Sequence, residues 1–499
     1  MYDAESLPTA FAGLQPQAAD SLLSLIALFR DDPRPMKIDL GVGVYRDAWG
    51  ATPVFVSVKV AEELLLREQN TKAYLGPEGD VGFLERLIPI VFGGSSRPSE
   101  LVSVQTPGGT RALRLAADLI AAGRPGSSVW IRVPSGPIHA GIFRQAGLKV
   151  EHVPYFDQAS QRLAFERFVA DLEAAEAGDV VLLHGACHNP SGADLSLDQW
   201  AKVADLLQRR AAIPLVDLAY QGLGLGLDED AAGLRQLMAS CDTVIVAQSC
   251  DKNFGLYRER TGALFVRAPR RVRELVRSNV LQLARVLWAM PPDHGAAVVR
   301  AILESEDLVG TWQAELTRMR DRLDAVRTDL AAALPRVDSL RDRRGLFALL
   351  PLTAAAIESL RRDHAVYMAG SGRINLAGLS TVEMRAQGLS AHRLSRGDAR
   401  HMYWTVAQMI AHHTSNGCNL RPGDLLGTGT LSAPTEDGYG SLLEISRGGV
   451  APIALPSGET RAFLEDGHEI ALTGRLSADG YVGIGFGPCS GMVRRALAG

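Results

Sequence analysis

The chain has 499 residues, 22% of them charged, and its 52 basic against 56 acidic side chains leave a formal net charge of -4. That length exceeds what one hydrophobic core usually supports, so two or more domains are expected. The near-neutral balance gives no reason to expect nucleic acid or an anionic membrane as a partner. The apolar run at 22–29 is interrupted by Ser24 and is too short to span a bilayer, and Asp3 and Glu5 do not fit a secretory leader. Five cysteines (Cys187, Cys241, Cys250, Cys418 and Cys489) form no CxxC pair and are too few for a disulfide framework. Reduced thiols and a cytoplasmic location are the expectation.

From about position 53 to 266 helical and strand patterns alternate. VSVKVAEELLLREQN (56–70) and TRALRLAADLIAAG (110–123) read as helices, and SSVWIRVP, VVLLHG, PLVDLA and TVIVAQS read as strands. The alternation predicts an α/β fold with a mostly parallel sheet covered by helices. Gly108, Gly109 and Thr110 open a helix whose apolar stripe runs through Ala112, Leu115, Ala116, Leu119 and Ile120 and stops at Gly123. Such a helix start can bind phosphate. Ser196 and Gln199 have the spacing of a capping box for a helix between VVLLHG and PLVDLA. Residues 270–334 read as mostly helical, broken at Pro291-Pro292. GLFALLPL, AVYMAG and RINLAGL follow as short strands of a second, smaller domain. Beyond 386–396 the chain turns Gly-rich, with SLLEISRGG, PIALPSGETRAFLEDG and HEIALTGRL read as alternating strands of a separate β-rich piece. The expected division is an N-terminal arm with part of the small domain (1–45), a large domain (46–310), the rest of the small domain (311–386) and a carboxyl-terminal piece (387–499).

The chemistry concentrates in three polar segments: QSCDKNFGLYRERTG (248–262), CHNPSG (187–192) and VDLAYQG (216–222). The last two each follow or close an apolar strand-like run. In the first, Lys252 offers a primary amine, Ser249 a hydroxyl and Arg260 a planar fork matched to phosphate oxygens. In this order and spacing the three segments resemble the pyridoxal-phosphate-dependent aminotransferases of the aspartate/aromatic type (class I). The resemblance implies the fold type I architecture, pyridoxal 5'-phosphate as cofactor, and Lys252 as the Schiff-base amine and proton shuttle. It further implies Asp217 against the ring nitrogen, and Asn189 and Tyr220 against the ring's phenolic oxygen. Gly109, Thr110, Ser249 and Arg260 would form the phosphate cradle. Tyr74, in TKAYLG, matches a tyrosine that reaches the phosphate of a neighbouring subunit, which implies a homodimer with shared sites.

The same resemblance assigns substrate groups. Arg373, in SGRINLAG, matches the residue that takes the α-carboxylate. Arg285 matches a partner-subunit arginine for the distal carboxylate of aspartate or glutamate, and Gly43, in GVGVYRD, a glycine whose backbone approaches the substrate. Transamination between an L-amino acid and a 2-oxo acid such as 2-oxoglutarate is implied, with acidic substrates preferred and aromatic ones open. His139 and His184 match positions near Asp217, as supporting groups or as ordinary structural histidines. Departures from the family are Gly136 where a tryptophan stacks on the cofactor, Ile138 two residues on, and Leu287 and Ala289 beside Arg285. Asp251, next to the amine, has no account from sequence.

The segment SRGDARHMYWTVAQMIAHHTSNGCNLRPGDLLGTGT resembles the carboxyl-terminal part of fumarylacetoacetases. That likeness places Thr430 at the substrate and Glu444 beside the histidine that activates water. The family's histidine and metal carboxylates belong to an earlier half with no counterpart in this sequence, so no metal and no hydrolysis are expected. Met402, Val406, Met409 and Ile410 form an apolar stripe on a helix that could dock on the aminotransferase-like part. An aromatic aminotransferase with a hydrolase tail and a catalytically impaired fusion both remain open at this level.

Overall fold

The computed structural model describes residues 11, 13–14, 21–34, 37–47, 50–94, 96–379, 394–395, 406–415, 430, 432, 438–454, 460–465, 468–476 and 484–493. It divides into two compact units, Met1–Met384 and Arg385–Gly499.

The first unit is organised by a seven-stranded sheet built from β1 (Leu101–Pro107), β2 (Ser128–Val133), β3 (Lys149–Pro154), β4 (Val180–His184), β5 (Ile213–Leu218), β6 (Val244–Ser249) and β7 (Thr261–Arg267). Their spatial order is β1-β7-β6-β5-β4-β2-β3. Only β7 runs against its neighbours, pairing antiparallel with β1 and β6 while the other pairs are parallel. Strands covered on both faces read as unbroken apolar runs, and every residue of β4 (VVLLH) and β6 (VIVAQS) is buried. One apolar cluster centred on Val216, Val246 and Phe265 fills one face, and another with Leu215, Ile245 and Leu264 fills the opposite face. The helix Gly108–Gly123 packs over β6 and β7 on the second face. Ser196 caps the helix Leu197–Arg210 through the expected reciprocal bonds with Gln199.

The helices Arg273–Trp288, His294–Glu304 and Glu306–Ala333 follow β7, the first two separated by the Pro291-Pro292 break. The third runs through position 310 without interruption, and two of its buried side chains reach back to the rest of the unit. Glu315 accepts from the backbone N–H groups of Val56 (2.6 Å) and Ser57 (3.2 Å) and from the Ser57 hydroxyl (2.7 Å). It thereby caps the helix Val56–Glu68, whose own N-cap residue Phe55 supplies no side-chain bond. Trp312 stacks on Phe254 with centroids 4.4 Å apart and an interplanar angle of 5°, and its indole N–H donates to the Asn253 carbonyl at 2.7 Å. Two short strand pairs complete the unit: Phe347–Leu349 pairs antiparallel with Arg373–Asn375, and Ile38–Asp39 pairs parallel with Val366–Tyr367.

In the second unit Ile453–Ala454 pairs with Thr460–Arg461, and Glu469–Leu476 pairs with Ile484–Met492 across an irregularity near Thr473. SLLEISRGG, expected as a strand, is instead a one-turn helix at Leu442–Ile445 followed by turns. The Ser441 hydroxyl accepts from the Glu444 N–H, a local cap that outcompetes the extended form suggested by alternation. The expected stripe falls on the helix Val406–Thr414, where Ile410 is exposed, while Met402 and the side chains of Val406 and Met409 lie outside the described residues. No helix among the described residues is long and apolar enough to cross a membrane.

Candidate active site

The polar segments converge where the parallel strands end. Asp217 lies at the carboxyl end of β5 in register with His184 of β4, Ser249 closes β6, and Gly108 begins a helix directly after β1. Lys252 occupies the turn between β6 and β7, and Arg260 precedes β7, which runs the other way and so starts at the same edge. Open α/β sheets bind ligands at this edge because strand ends and helix starts leave unpaired backbone groups there.

Lys252 Nζ lies 5.9 Å from the ring centre of Tyr220 and 5.6 Å from that of Tyr257. Burial holds the amine below the usual lysine range; Asp251 pulls it up, Arg260 adds to the depression, and Asp217 again raises it. Asp217 Oδ2 is 3.2 Å from His139 Nε2 and 3.9 Å from His184 Nε2. His139 Nδ1 is 2.8 Å from the Ser135 hydroxyl. With that hydroxyl donating, the imidazole presents an N–H to the carboxylate and fixes its orientation. Burial, reinforced by Asp217, raises the Tyr220 phenol above its ordinary value. Asn189 precedes a cis Asn189-Pro190 bond, and its buried Oδ1 has no hydrogen-bond partner. His139, His184 and Asp217 place three donors within 4.8 Å of one another, the one cluster of metal-ligand spacing among the described residues.

A second group of residues surrounds the helix start. Gly108 has φ +75°, and a Cβ there would come within 2.6 Å of Arg260 Nη2. A Cβ on Gly109 would meet Ser249 Cβ at 3.0 Å. Glycine is therefore required for the chain to pass this closely, and the result is a concave cradle of N–H groups, a hydroxyl and a guanidinium. Arg260 itself adopts φ +54°, an uncommon conformation for a side-chain-bearing residue. Its Nη1 donates to the Tyr257 carbonyl at 3.2 Å and forms an ion pair with Asp251 Oδ2. Thr110 is exposed at the helix start. The unpartnered Asn189 oxygen and the close approach of Gly108 and Gly109 to Arg260 and Ser249 are compatible with a phosphorylated heteroaromatic aldehyde, whose phosphate would meet the helix start and whose ring would lie near Lys252 and Asp217.

Of the expected carboxylate-binding groups, Arg373 is buried, stacks on Phe347 at 4.7 Å and donates from Nη2 to the Gly41 carbonyl at 2.9 Å, while its Nε has no partner. Burial lowers this guanidinium from its ordinary value. Gly43 packs beside the same ring, since a Cβ there would lie 2.8 Å from Phe347 Cζ. Tyr220 meets Phe347 edge-on at 6.0 Å, which joins Arg373 to the lysine side of the site. Arg285 and Tyr74 are not brought to this cluster: Arg285 is exposed on its helix and Tyr74 is 93% exposed. In the second unit Thr430 is exposed, and Glu444 Oε2 accepts from the hydroxyls of Ser432 (2.6 Å) and of the N-cap residue Ser441 (3.1 Å), so the carboxylate is held by local hydroxyls.

Of the neighbours of the site, His188, Tyr155, Arg132, Asp194 and Tyr257 were not singled out from sequence, whereas His139, His184, Gly136 and Ile138 were. Behind Asp217 the rings of His139, His184, His188 and Tyr155 follow one another at 5.2, 4.7 and 4.4 Å. Arg132, 1% exposed, lies over Tyr155 with its Cζ 4.3 Å from the ring centre, and its Nε has no partner. Burial, with the facing cation, holds His184 and His188 well below the ordinary histidine value. Asp194 accepts the backbone N–H groups of Cys187 and His188 at 2.8 and 2.9 Å, and burial raises its carboxyl to about 6. Tyr257, whose hydroxyl accepts from the Tyr45 N–H at 2.8 Å, is signalled only by its nearness to Lys252 in sequence. Gly136, which stands where the family has a stacking tryptophan, is backed by His139: a Cβ there would lie 3.0–3.4 Å from three atoms of the imidazole. Ile138 on the same turn is 45% exposed.

The chain belongs to the family described as aminotransferase class I and II, which matches residues 35–386, and residues 370–494 match the fumarylacetoacetate (FAA) hydrolase C-terminal family. A tyrosine aminotransferase of Rhizobium meliloti is 51% identical over 378 residues, covering 75% of this chain and 97% of the relative. An aspartate aminotransferase of Salmonella typhi is 42% identical over 384 residues, covering 75% and 97%. The crystal structure of an aromatic-amino-acid aminotransferase from Burkholderia pseudomallei, covalently bound to pyridoxal phosphate, aligns with a TM-score of 0.73 at 34% identity, covering 76% of this chain and 97% of that one.

Proposed function

We propose that the first unit catalyses pyridoxal-phosphate-dependent transamination between an L-amino acid, acidic or aromatic, and a 2-oxo acid such as 2-oxoglutarate. The observation that carries this reading is the buried Lys252 amine held below its usual basicity between Tyr220, Tyr257 and Asp217. Lowered basicity leaves more of the amine unprotonated, the form that adds to a carbonyl and can accept a Cα proton. The cofactor supplies an electron sink for the electrons left when the Cα–H bond breaks. Asp217, oriented by His139, would face the ring nitrogen, and Asn189 and Tyr220 the ring oxygen. Gly109, Thr110, Ser249 and Arg260 would hold the phosphate. Arg373, buried on Phe347 with its Nε unused, would take the α-carboxylate, and Gly43 would keep the substrate side open.

The exposure of Tyr74 and Arg285 fits the reading that each is offered to a second copy of the chain, in a homodimer with shared sites. Arg285 would then favour dicarboxylic substrates, and aromatic ones would enter when its side chain turns aside. The carboxyl-terminal part is read as non-hydrolytic, with the Glu444 carboxylate taken up by the hydroxyls of Ser432 and Ser441. A cytoplasmic location completes the proposal.

Two measurements test it together. Purified full-length protein should show the visible absorbance of bound cofactor, and Lys252→Ala should lose it. More than one equivalent of 2-oxo acid per site should form from an amino acid only when a second 2-oxo acid is added; multiple turnovers without it, releasing ammonia or carbon dioxide, would refute transfer in favour of elimination or decarboxylation.

A further inference from the structure

The anion cradle already contains an anion. Asp251 is 3% exposed and bears a carboxylate that forms an ion pair with Arg260 Nη1. Its Oδ2 lies 3.4 Å from where a Cβ on Gly108 would sit, so the charge rests at the mouth of the helix Gly108–Gly123, beside the N–H groups that favour negative charge. Its Oδ1 is buried and has no hydrogen-bond partner. Its own N–H donates to the Ser249 hydroxyl at 3.2 Å, which ties the carboxylate's backbone to another member of the cradle. A buried carboxylate with one oxygen unpaired is a costly arrangement that packing alone does not demand.

We infer that Asp251 is an internal competitor for the cofactor's phosphate: its carboxylate holds Arg260 in the free chain and must release it, or share it, when a phosphate ester enters. A dianionic ester and this carboxylate would face the same guanidinium and the same helix start, and like charges at such a distance repel in a poorly solvated pocket. The phosphate therefore contributes less to cofactor retention here than the number of donors around it implies. Asp251 makes the cofactor exchangeable, and the chain's occupancy would follow the supply of phosphorylated pyridine aldehyde. The inference rests on the transaminase reading of the site but concerns a residue that this reading leaves unused.

The test compares the full-length protein with Asp251→Asn and Asp251→Ser after removal of cofactor, titrating each with pyridoxal phosphate and, separately, with unphosphorylated pyridoxal. The expected result is a gain in affinity for pyridoxal phosphate of about tenfold or more in both variants, equivalent to ~1.4 kcal/mol or more, with a distinctly smaller gain for pyridoxal, which feels only the lowered basicity of Lys252 when Asp251 is removed. Inorganic phosphate should also compete more strongly against pyridoxal phosphate in the variants. Equal or weaker binding of pyridoxal phosphate by the variants overturns the inference while leaving transamination intact, and so does an equal gain for both aldehydes. Should one variant fail to fold, the other decides. Should neither aldehyde bind the unmodified protein or the variants, the transaminase reading falls and this inference with it.

Discussion

Replacing Arg373 by lysine tests the substrate side of the site most sharply. The guanidinium is fixed by stacking on Phe347 at 4.7 Å and by the bond from Nη2 to the Gly41 carbonyl, which leaves Nε and the rest of the fork for a ligand. Lysine keeps the positive charge but loses the planar fork, and with it one of two charge-assisted bonds to a carboxylate, worth about 1.5–3 kcal/mol. Loss of the ring contact adds about 0.5–1 kcal/mol. The sum, about 2–4 kcal/mol, corresponds to a fall in kcat/KM of roughly 30- to 1000-fold. Steady-state assays with aspartate, tyrosine and 2-oxoglutarate should show the loss for all three, because each carries the same α-carboxylate. A change under threefold, or a loss confined to the dicarboxylates, would refute the assignment and make Arg373 either a packing residue or a distal-group binder.

Other expectations are measurable with the same protein. Burial depresses both His184 and His188, so the folded state resists protons that the unfolded chain accepts below its ordinary histidine value of about 6.5. Stability should therefore be lost as pH falls below that point, by up to ~1.4 kcal/mol per pH unit for each histidine, and His188→Gln should flatten the slope of urea stability against pH; an identical slope would contradict the burial argument. Glu315→Ala strips the helix Val56–Glu68 of its borrowed cap and should cost about 2–4 kcal/mol in urea unfolding at constant m, whereas a loss under about 0.5 kcal/mol would show that solvent replaces it. Gly136→Trp should narrow the substrate range and, because a Cβ there presses on His139, also shift the absorbance of the bound cofactor; unchanged relative rates for aromatic and acidic amino acids would reject the first part.

The residues legible in the sequence are those whose chemistry is local. Lys252, Asp217, Ser249 and Arg260 lie in short polar segments at strand ends, where a change of composition marks a change of environment, and the Ser196–Gln199 cap depends on three intervening bonds rather than on the fold. Strands β1, β3 and β7 were less visible. LVSVQTP and TGALFVR mix polar residues into buried positions, and KVEHVP lies at the sheet edge with charged side chains exposed. Side chains that meet across the sheet left no local signal: Arg132 on β2 finds Tyr155 after β3, and the His139–His184–His188 row draws on three segments. The pairing of Asp251 with Arg260 likewise required the loop to fold back. SLLEISRGG carried both an alternating pattern and the S-x-x-E signature of a helix start, and the short-range cap prevailed.

The stack of Phe254 on Trp312 gives the protein a natural optical gauge. Phe254 sits two residues beyond Lys252, and the indole is pinned to the Asn253 carbonyl, so a displacement of that turn alters both the contact and the polarity felt by the fluorophore. In a variant retaining Trp312 alone of the chain's six tryptophans, emission would report movement of the Lys252 turn in real time, without any added dye.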